Sequence, residues 1–160
     1  MLTRTVRLFS LRGIPVRIHA SWIIVLVLVT WSFATGFYPE SYAGTFSDAG
    51  LWLVSALTAL LLFVSILLHE LSHSLVARRN GIPMRGITLF MFGGVAQMGR
   101  EVDDPGVELR MAAAGPLMTL ALAALFHLGA RIAPAPAAAA ILATVGNINI
   151  GVLVFNLVPG

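Results

Sequence analysis

The segment that decides how this chain folds is Leu67-Leu68-His69-Glu70-Leu71-Ser72-His73-Ser74-Leu75, set inside a long apolar run that begins near Leu51. Apolar membrane-type helices almost never carry two histidines and a glutamate without a use for them. Residues four apart lie one turn apart on the same helical face, so His69 and His73 can both aim an imidazole nitrogen at one metal ion. Glu70 projects to the side, within reach of a metal-bound water. This is the H-E-x-x-H arrangement of two zinc ligands and a general base. Zinc brings the pKa of its water near neutrality, and the glutamate takes the proton as the hydroxide attacks a carbonyl. The competing reading is a helix whose histidines only hydrogen-bond to neighbouring helices. The cost of ionisable groups in lipid weighs against it.

Composition gives that segment its setting. Of 160 residues 58% are hydrophobic and 11% charged, and the mean hydropathy is +0.91. A soluble domain of this size could not hide so much apolar surface. The chain has no cysteine, which excludes both a disulfide framework and a thiolate metal site, so any zinc must be held by histidine, carboxylate or water. All ten basic residues are arginine and the net charge is +3. Nothing resembles a nucleic-acid-binding module; the lipid bilayer is the expected surrounding, and no feature specifies an oligomeric state.

Outward from the motif, the sequence predicts an all-α polytopic membrane protein. It has about four transmembrane helices, a short N-terminal strand segment, and a re-entrant β-hairpin between helices two and three. Residues 1–160 read as one membrane-embedded core. Residues 1–19 carry Arg4, Arg7, Arg12 and Arg17 among alternating apolar positions. Val6 to Ile18, with a turn near Gly13, reads as one or two interfacial strands, with a secretory leader as the competing reading. His19 reads as interfacial rather than as a ligand. The first helix spans 20–38, framed by Trp22, Trp31 and Tyr38 as interface anchors. The second spans 51–79 and ends at the Asn80-Gly81 cap pair. Segment 82–100 is too short and glycine-rich to span well. Ile87 to Phe92 and Val95 to Met98 read as strands around a Gly93-Gly94 turn. A bare hairpin would leave unpaired backbone in lipid, so this one is expected to be re-entrant, covered by protein or lining a wet cavity; an ordinary interfacial loop is the alternative. The third helix spans 107–129, with small residues Ala112 to Gly115 and a kink expected at Pro116, and His127 at its far end. The fourth spans 137–158, carries Asn147, Asn149 and Asn156, and breaks at Pro159-Gly160.

Nine of the ten arginines lie in or beside 1–19 and 78–110, and only Arg131 lies on the other side. Basic loops stay cytoplasmic. The N-terminus and the 80–106 region are therefore expected on the cytoplasmic side, with the motif in the inner third of the membrane and the end of the fourth helix returning to a similar depth.

Taken together, H-E-L-S-H at 69–73, F-G-G-V at 92–95, A-G-P at 114–116, N-L-V-P-G at 156–160 and the leader I-P-V-R-I-H-A-S-W at 14–22 resemble the site-2 proteases, the zinc-dependent intramembrane metalloproteases. The resemblance covers nearly the whole chain. It implies Zn2+ held by His69 and His73, Glu70 as catalytic base, and Asn156 near the metal, steadying substrate or the developing oxyanion. It also implies a substrate strand received along Gly93, Gly94 and Val95. The substrate would be the transmembrane segment of a membrane-anchored protein, cut in a bacterial or archaeal cell membrane. In that family an aspartate beyond the second motif is the third zinc ligand. Here the sequence stops at Gly160, so the chain is expected to be a C-terminally truncated piece of an active enzyme, or else a shortened homologue. Glu101, Asp103 and Asp104 are acids on the same side but belong to a surface loop. As it stands the chain is expected to bind metal weakly and cut little. The alternatives are an inactive relative that binds membrane helices without cleaving them, and a metal transporter; the transporter would need more polar residues along several helices.

Overall fold

A computed structural model describes residues 5–91 and 93–157. Arg4, Phe92 of the F-G-G-V segment, and Val158, Pro159 and Gly160 of the C-terminal motif lie outside the described residues. The chain divides into two compact units. One comprises Met1–Ile23 and Ile66–Thr119, the other Ile24–Ser65 and Leu120–Gly160.

The first unit is built on a four-stranded sheet of order β1-β2-β3-β4. Strands β1 (Thr5–Leu11) and β2 (Ile14–His19) form an antiparallel hairpin pairing Thr5 with His19 and Leu11 with Ile14. Its two-residue turn is Arg12-Gly13, with φ of 47° and 80°. Paired positive φ values match the twist of the flanking strands, which suits glycine at the second position. Strands β3 (Met84–Phe90) and β4 (Gly93–Met98) form a second antiparallel hairpin. The two hairpins join through a parallel pairing of β2 with β3, Val16 opposite Ile87 and Ile18 opposite Leu89. The expected N-terminal strands and the expected hairpin are thus parts of one sheet. The molecule is mostly helical rather than all-α, because the edge of each hairpin is satisfied by the other. Alternation puts Ile14, Val16, Ile87 and Leu89 on a buried face. A further correction concerns Gly93-Gly94. These residues are not the turn but the first two of β4, pairing with Phe90 and Leu89, and Met91 lies in the turn.

Two helices contribute a segment to each unit: α3 (Asp48–Arg79) and α4 (Pro105–Ile132). In the first unit α3 ends where the Ile82 N–H reaches back to the Ala77 carbonyl at 3.1 Å, a Schellman closure at the predicted Asn80-Gly81. Ala77, Ile82 and Val107 form a small core with Met84 and Met111. Helix α4 starts with Pro105, and Asp104 caps it by accepting from Gly106 N–H at 2.7 Å. His19 Nδ1 accepts from the Ser21 N–H at 3.2 Å and lies 2.7 Å from its hydroxyl; Met91 N–H donates to the same hydroxyl at 3.3 Å. His19 therefore caps a helix.

The second unit contains most of the helical run Ser21–Ser41, made of α1 (Ser21–Ser32), a π-helical turn (Phe33–Phe37) and α2 (Tyr38–Ser41). It also contains α5 (Pro136–Leu157). Its core is Tyr38, Val54, Ala140, Ile141 and Val145. Tyr38 is wholly buried, so it is no interface anchor. Its hydroxyl donates to Thr58 Oγ1 at 2.5 Å, and Thr58 donates on to the Val54 carbonyl at 2.7 Å. Asn149, also buried, donates to the Val145 carbonyl at 2.8 Å and to Ser65 Oγ at 3.2 Å. His127 donates from Nδ1 to the Ala123 carbonyl at 2.8 Å, and its Nε2 is 3.1 Å from Asn147 Oδ1; it serves packing.

Four helical runs are long and apolar enough to cross a membrane: Ser21–Ser41, Asp48–Arg79, Pro105–Ile132 and Pro136–Leu157. Large apolar side chains such as Ile23, Val27, Leu53, Leu60, Leu125 and Phe155 face outward. An outward apolar shell over such helices suits lipid and not water.

Candidate functional site

The site belongs wholly to the first unit and is assembled from α3, α4 and β4. His69 and His73 sit one turn apart on α3 with Nε2 atoms 3.1 Å from each other and ring centroids 4.8 Å apart. Both rings are held from behind by α4. His73 Nδ1 lies 2.6 Å from the Met111 carbonyl. A carbonyl can only accept, so that nitrogen carries the proton and Nε2 presents a lone pair. Thr119 Oγ1 donates its one proton to the Gly115 carbonyl at 3.1 Å, and so accepts from His69 Nδ1–H at 2.7 Å. The His69 Nε2 is therefore a lone pair as well. Two lone pairs facing each other at 3.1 Å repel unless a cation lies between them. Two nitrogens bound tetrahedrally to zinc at ~2.0–2.1 Å stand about 3.3 Å apart, close to what is found here. Holding the far ring nitrogen by a hydrogen bond is also how metal-binding histidines are oriented.

The space between the two rings is set by Gly115. A Cβ there would overlap His73 Nε2 and stand 2.5 Å from His69 Nε2, at the point where the two lone pairs converge. The cradle thus depends on a missing side chain. His69, Ser72 and Thr119 are buried, and Ser72 donates to the His69 carbonyl at 2.6 Å, fixing the turn that carries the motif.

Glu70 is half-buried beside β4. A Cβ on Gly94 would overlap its Cγ and lie 2.7 Å from its Cδ, so the strand's backbone packs directly on the carboxylate side chain. A cavity of about 300 Å³ adjoins it, lined by Glu70, His73, Ser74, Met98, Glu108 and Met111 among others. Ser74 is fully buried, and its hydroxyl has no protein partner among the described residues. Among the described residues strand β4 is an edge of the sheet, paired only with β3. Gly94 and Ala96 pair with the buried-face residues Leu89 and Ile87, while Val95 pairs with Thr88 on the opposite face and is exposed.

Of the residues singled out in the sequence, His69, Glu70, His73 and Gly94 come together. Gly93 begins the strand, and Val95 turns away from Glu70. Asn156 lies near the end of α5 in the second unit, exposed, its amide donating to the Val152 carbonyl at 2.8 Å. Glu101, Asp103 and Asp104 are in the exposed segment before α4, with Asp104 occupied as its cap. Among the described residues no three histidines, cysteines or acids gather to hold a metal. Sequence reasoning missed Met111, Gly115 and Thr119 as a group. Their spacing of four places them on one face of α4, but nothing local shows that this face meets the motif.

The chain is similar to several known proteins. The family model described as Peptidase family M50 matches residues 57–135. The protein sll0528 of Synechocystis sp., a candidate zinc metalloprotease, is 39% identical over 99% of this chain and 41% of its own length. Zinc metalloprotease MJ0392 of Methanocaldococcus jannaschii is 36% identical over 72% of this chain and 29% of its own. The structure of a site-2 protease from Methanocaldococcus jannaschii is similar with a TM-score of 0.63 and 30% identity, over 98% of this chain and 66% of that one. The chain thus spans about two fifths or less of the length of these curated relatives.

Proposed function

Since this chain belongs to the site-2 protease family, peptidase family M50, and is an integral membrane protein, we propose that it is an intramembrane zinc metalloendopeptidase. It hydrolyses a peptide bond in or near the transmembrane segment of a membrane-anchored protein. The observation that carries this reading is the pair of Nε2 lone pairs 3.1 Å apart, each fixed by a hydrogen bond on the far side of its ring.

In this reading His69 and His73 hold Zn2+, which when bound supplies a Lewis acid and an activated water. Glu70 takes the proton from the attacking water and returns it to the departing amine. The half-buried setting of Glu70 against Gly94 keeps its carboxylate beside the edge of β4. A helical substrate must unwind before its carbonyl can be attacked, and the free edge of β4 can replace the lost backbone hydrogen bonds by strand addition. The reading places the active-site end and the N-terminus on the cytoplasmic side.

Glu70→Gln tests it in the full-length protein. Zinc content should stay stoichiometric while cleavage of a membrane-anchored substrate falls by about 10²–10⁴. Unchanged cleavage would sink the proposal. The second reading is a homologue that binds membrane helices without cutting them, favoured by the donor set of only two imidazoles among the described residues. It predicts substrate capture that is indifferent to Glu70→Gln and no cleavage by the wild-type protein.

A further inference from the structure

The face of the sheet turned away from Glu70 carries an open groove of about 760 Å³, bordered by Arg17, His19, Thr88, Phe90, Val95 and Gln97 among others. Among the described residues no carboxylate lines it, so none of them neutralises the charge of Arg17 within the groove. The guanidinium is laid across β3. A Cβ on Gly86 would come 2.6 Å from Arg17 Nη1 and 2.9 Å from the Pro15 carbonyl. Gly86 also has φ +151°, at the point where the β3–β4 register shifts. Glycine is required twice over, by its φ and by the close Pro15 carbonyl. On β4 the partner of Gly86 is Gln97, so the positive charge is held one strand in from the open edge.

Resting on the protease reading, we propose that this groove is a specificity site for an acidic side chain of the substrate. A segment added to β4 alternates its side chains between the two faces. The residue beside Gly94 faces Glu70; the residues beside Val95 and Gln97 face the groove. The position beside Gln97 is three residues from the one beside Gly94. At ~4.8 Å per strand it lies about 10 Å from β3, a span that a glutamate and a flexible arginine cover together with Gln97 between them. The substrate class is therefore a membrane-anchored segment with an acidic residue three positions from the residue held at Glu70.

The test uses the full-length protein in phosphatidylcholine vesicles and anchored substrates that differ only in Glu, Gln or Lys at that position, on either side of the cleavage point. Cleavage is read as kcat/KM. Photo-crosslinking to the Glu70→Gln variant reads binding independently of chemistry. Glu should exceed Lys by about fivefold in both readouts, the scale of a solvent-exposed charge pair. Arg17→Glu should invert the order and Arg17→Gln should level it. Equal crosslinking of Glu and Lys substrates by protein with native Arg17 overturns the proposal, and needs no variant at the groove to fold. If nothing is cleaved but crosslinking still prefers Glu, the protease reading fails and the groove stands. An effect of Arg17→Gln that follows added phosphatidylglycerol rather than substrate charge assigns the groove to lipid headgroups and also overturns the proposal.

Discussion

Thr119 has a task that its hydroxyl performs and an isosteric methyl cannot. It turns His69 by accepting from Nδ1 while donating to the Gly115 carbonyl. Thr119→Val should therefore weaken zinc binding by about 10–100-fold, and Thr119→Ser should restore it; competition against a chelator measures both. Gly115→Ala makes a sharper prediction. Its methyl group would overlap His73 Nε2, so stoichiometric zinc should be lost while helix content by circular dichroism is kept. Gly94→Ala should do the opposite, displacing Glu70, lowering kcat and leaving zinc in place, because the three atoms nearest the methyl all belong to the glutamate side chain. At this scale the sequence was highly legible along α3, where the two histidines and the glutamate lie within five residues and helical periodicity alone brings them together. It was mute about Thr119, fifty residues from His69: a threonine in an apolar helix has many uses, and only the packing selects one.

Among the elements, alternating apolar positions marked one or two strands with a turn near Gly13 in the first hairpin, and strand-favouring residues on either side of a glycine pair marked the second. The parallel pairing of β2 with β3 left no local trace. Each hairpin reads as complete by itself, and the contact between Val16 and Ile87 is a matter of tertiary arrangement. Gly93-Gly94 misled for a physical reason. Glycine pairs usually mark turns, but here Gly94 lies in a strand because Glu70 needs the room of its side chain. Tyr38 misled as well. An aromatic residue at the end of an apolar run suggests a membrane interface, yet it is buried and bonded to Thr58. Tyr38→Phe should cost about 1 kcal/mol through that lost hydrogen bond, seen as a lower unfolding midpoint in a denaturing detergent, with zinc affinity unchanged.

For the whole molecule, hydropathy alone announced four helices, and the helical runs found are close to those expected. The arginine distribution makes a prediction that the absence of cysteine renders convenient. A single cysteine replacing Val102 should be labelled by a membrane-impermeant thiol reagent from the cytoplasmic side, and one replacing Thr45 from the other side; reversed labelling would refute the orientation. The parallel seam between the hairpins also bears on how the chain is made. The partner of Val16 is Ile87, about seventy residues later, and ribosomes add ~5–20 residues per second. During synthesis the first hairpin must therefore wait roughly 4–14 s for its neighbouring strand, with two apolar helical runs entering the bilayer in between. Throughout that interval its inner edge is an open template for any other nascent strand. Chains arrested before β3 should aggregate, and those arrested after it should not.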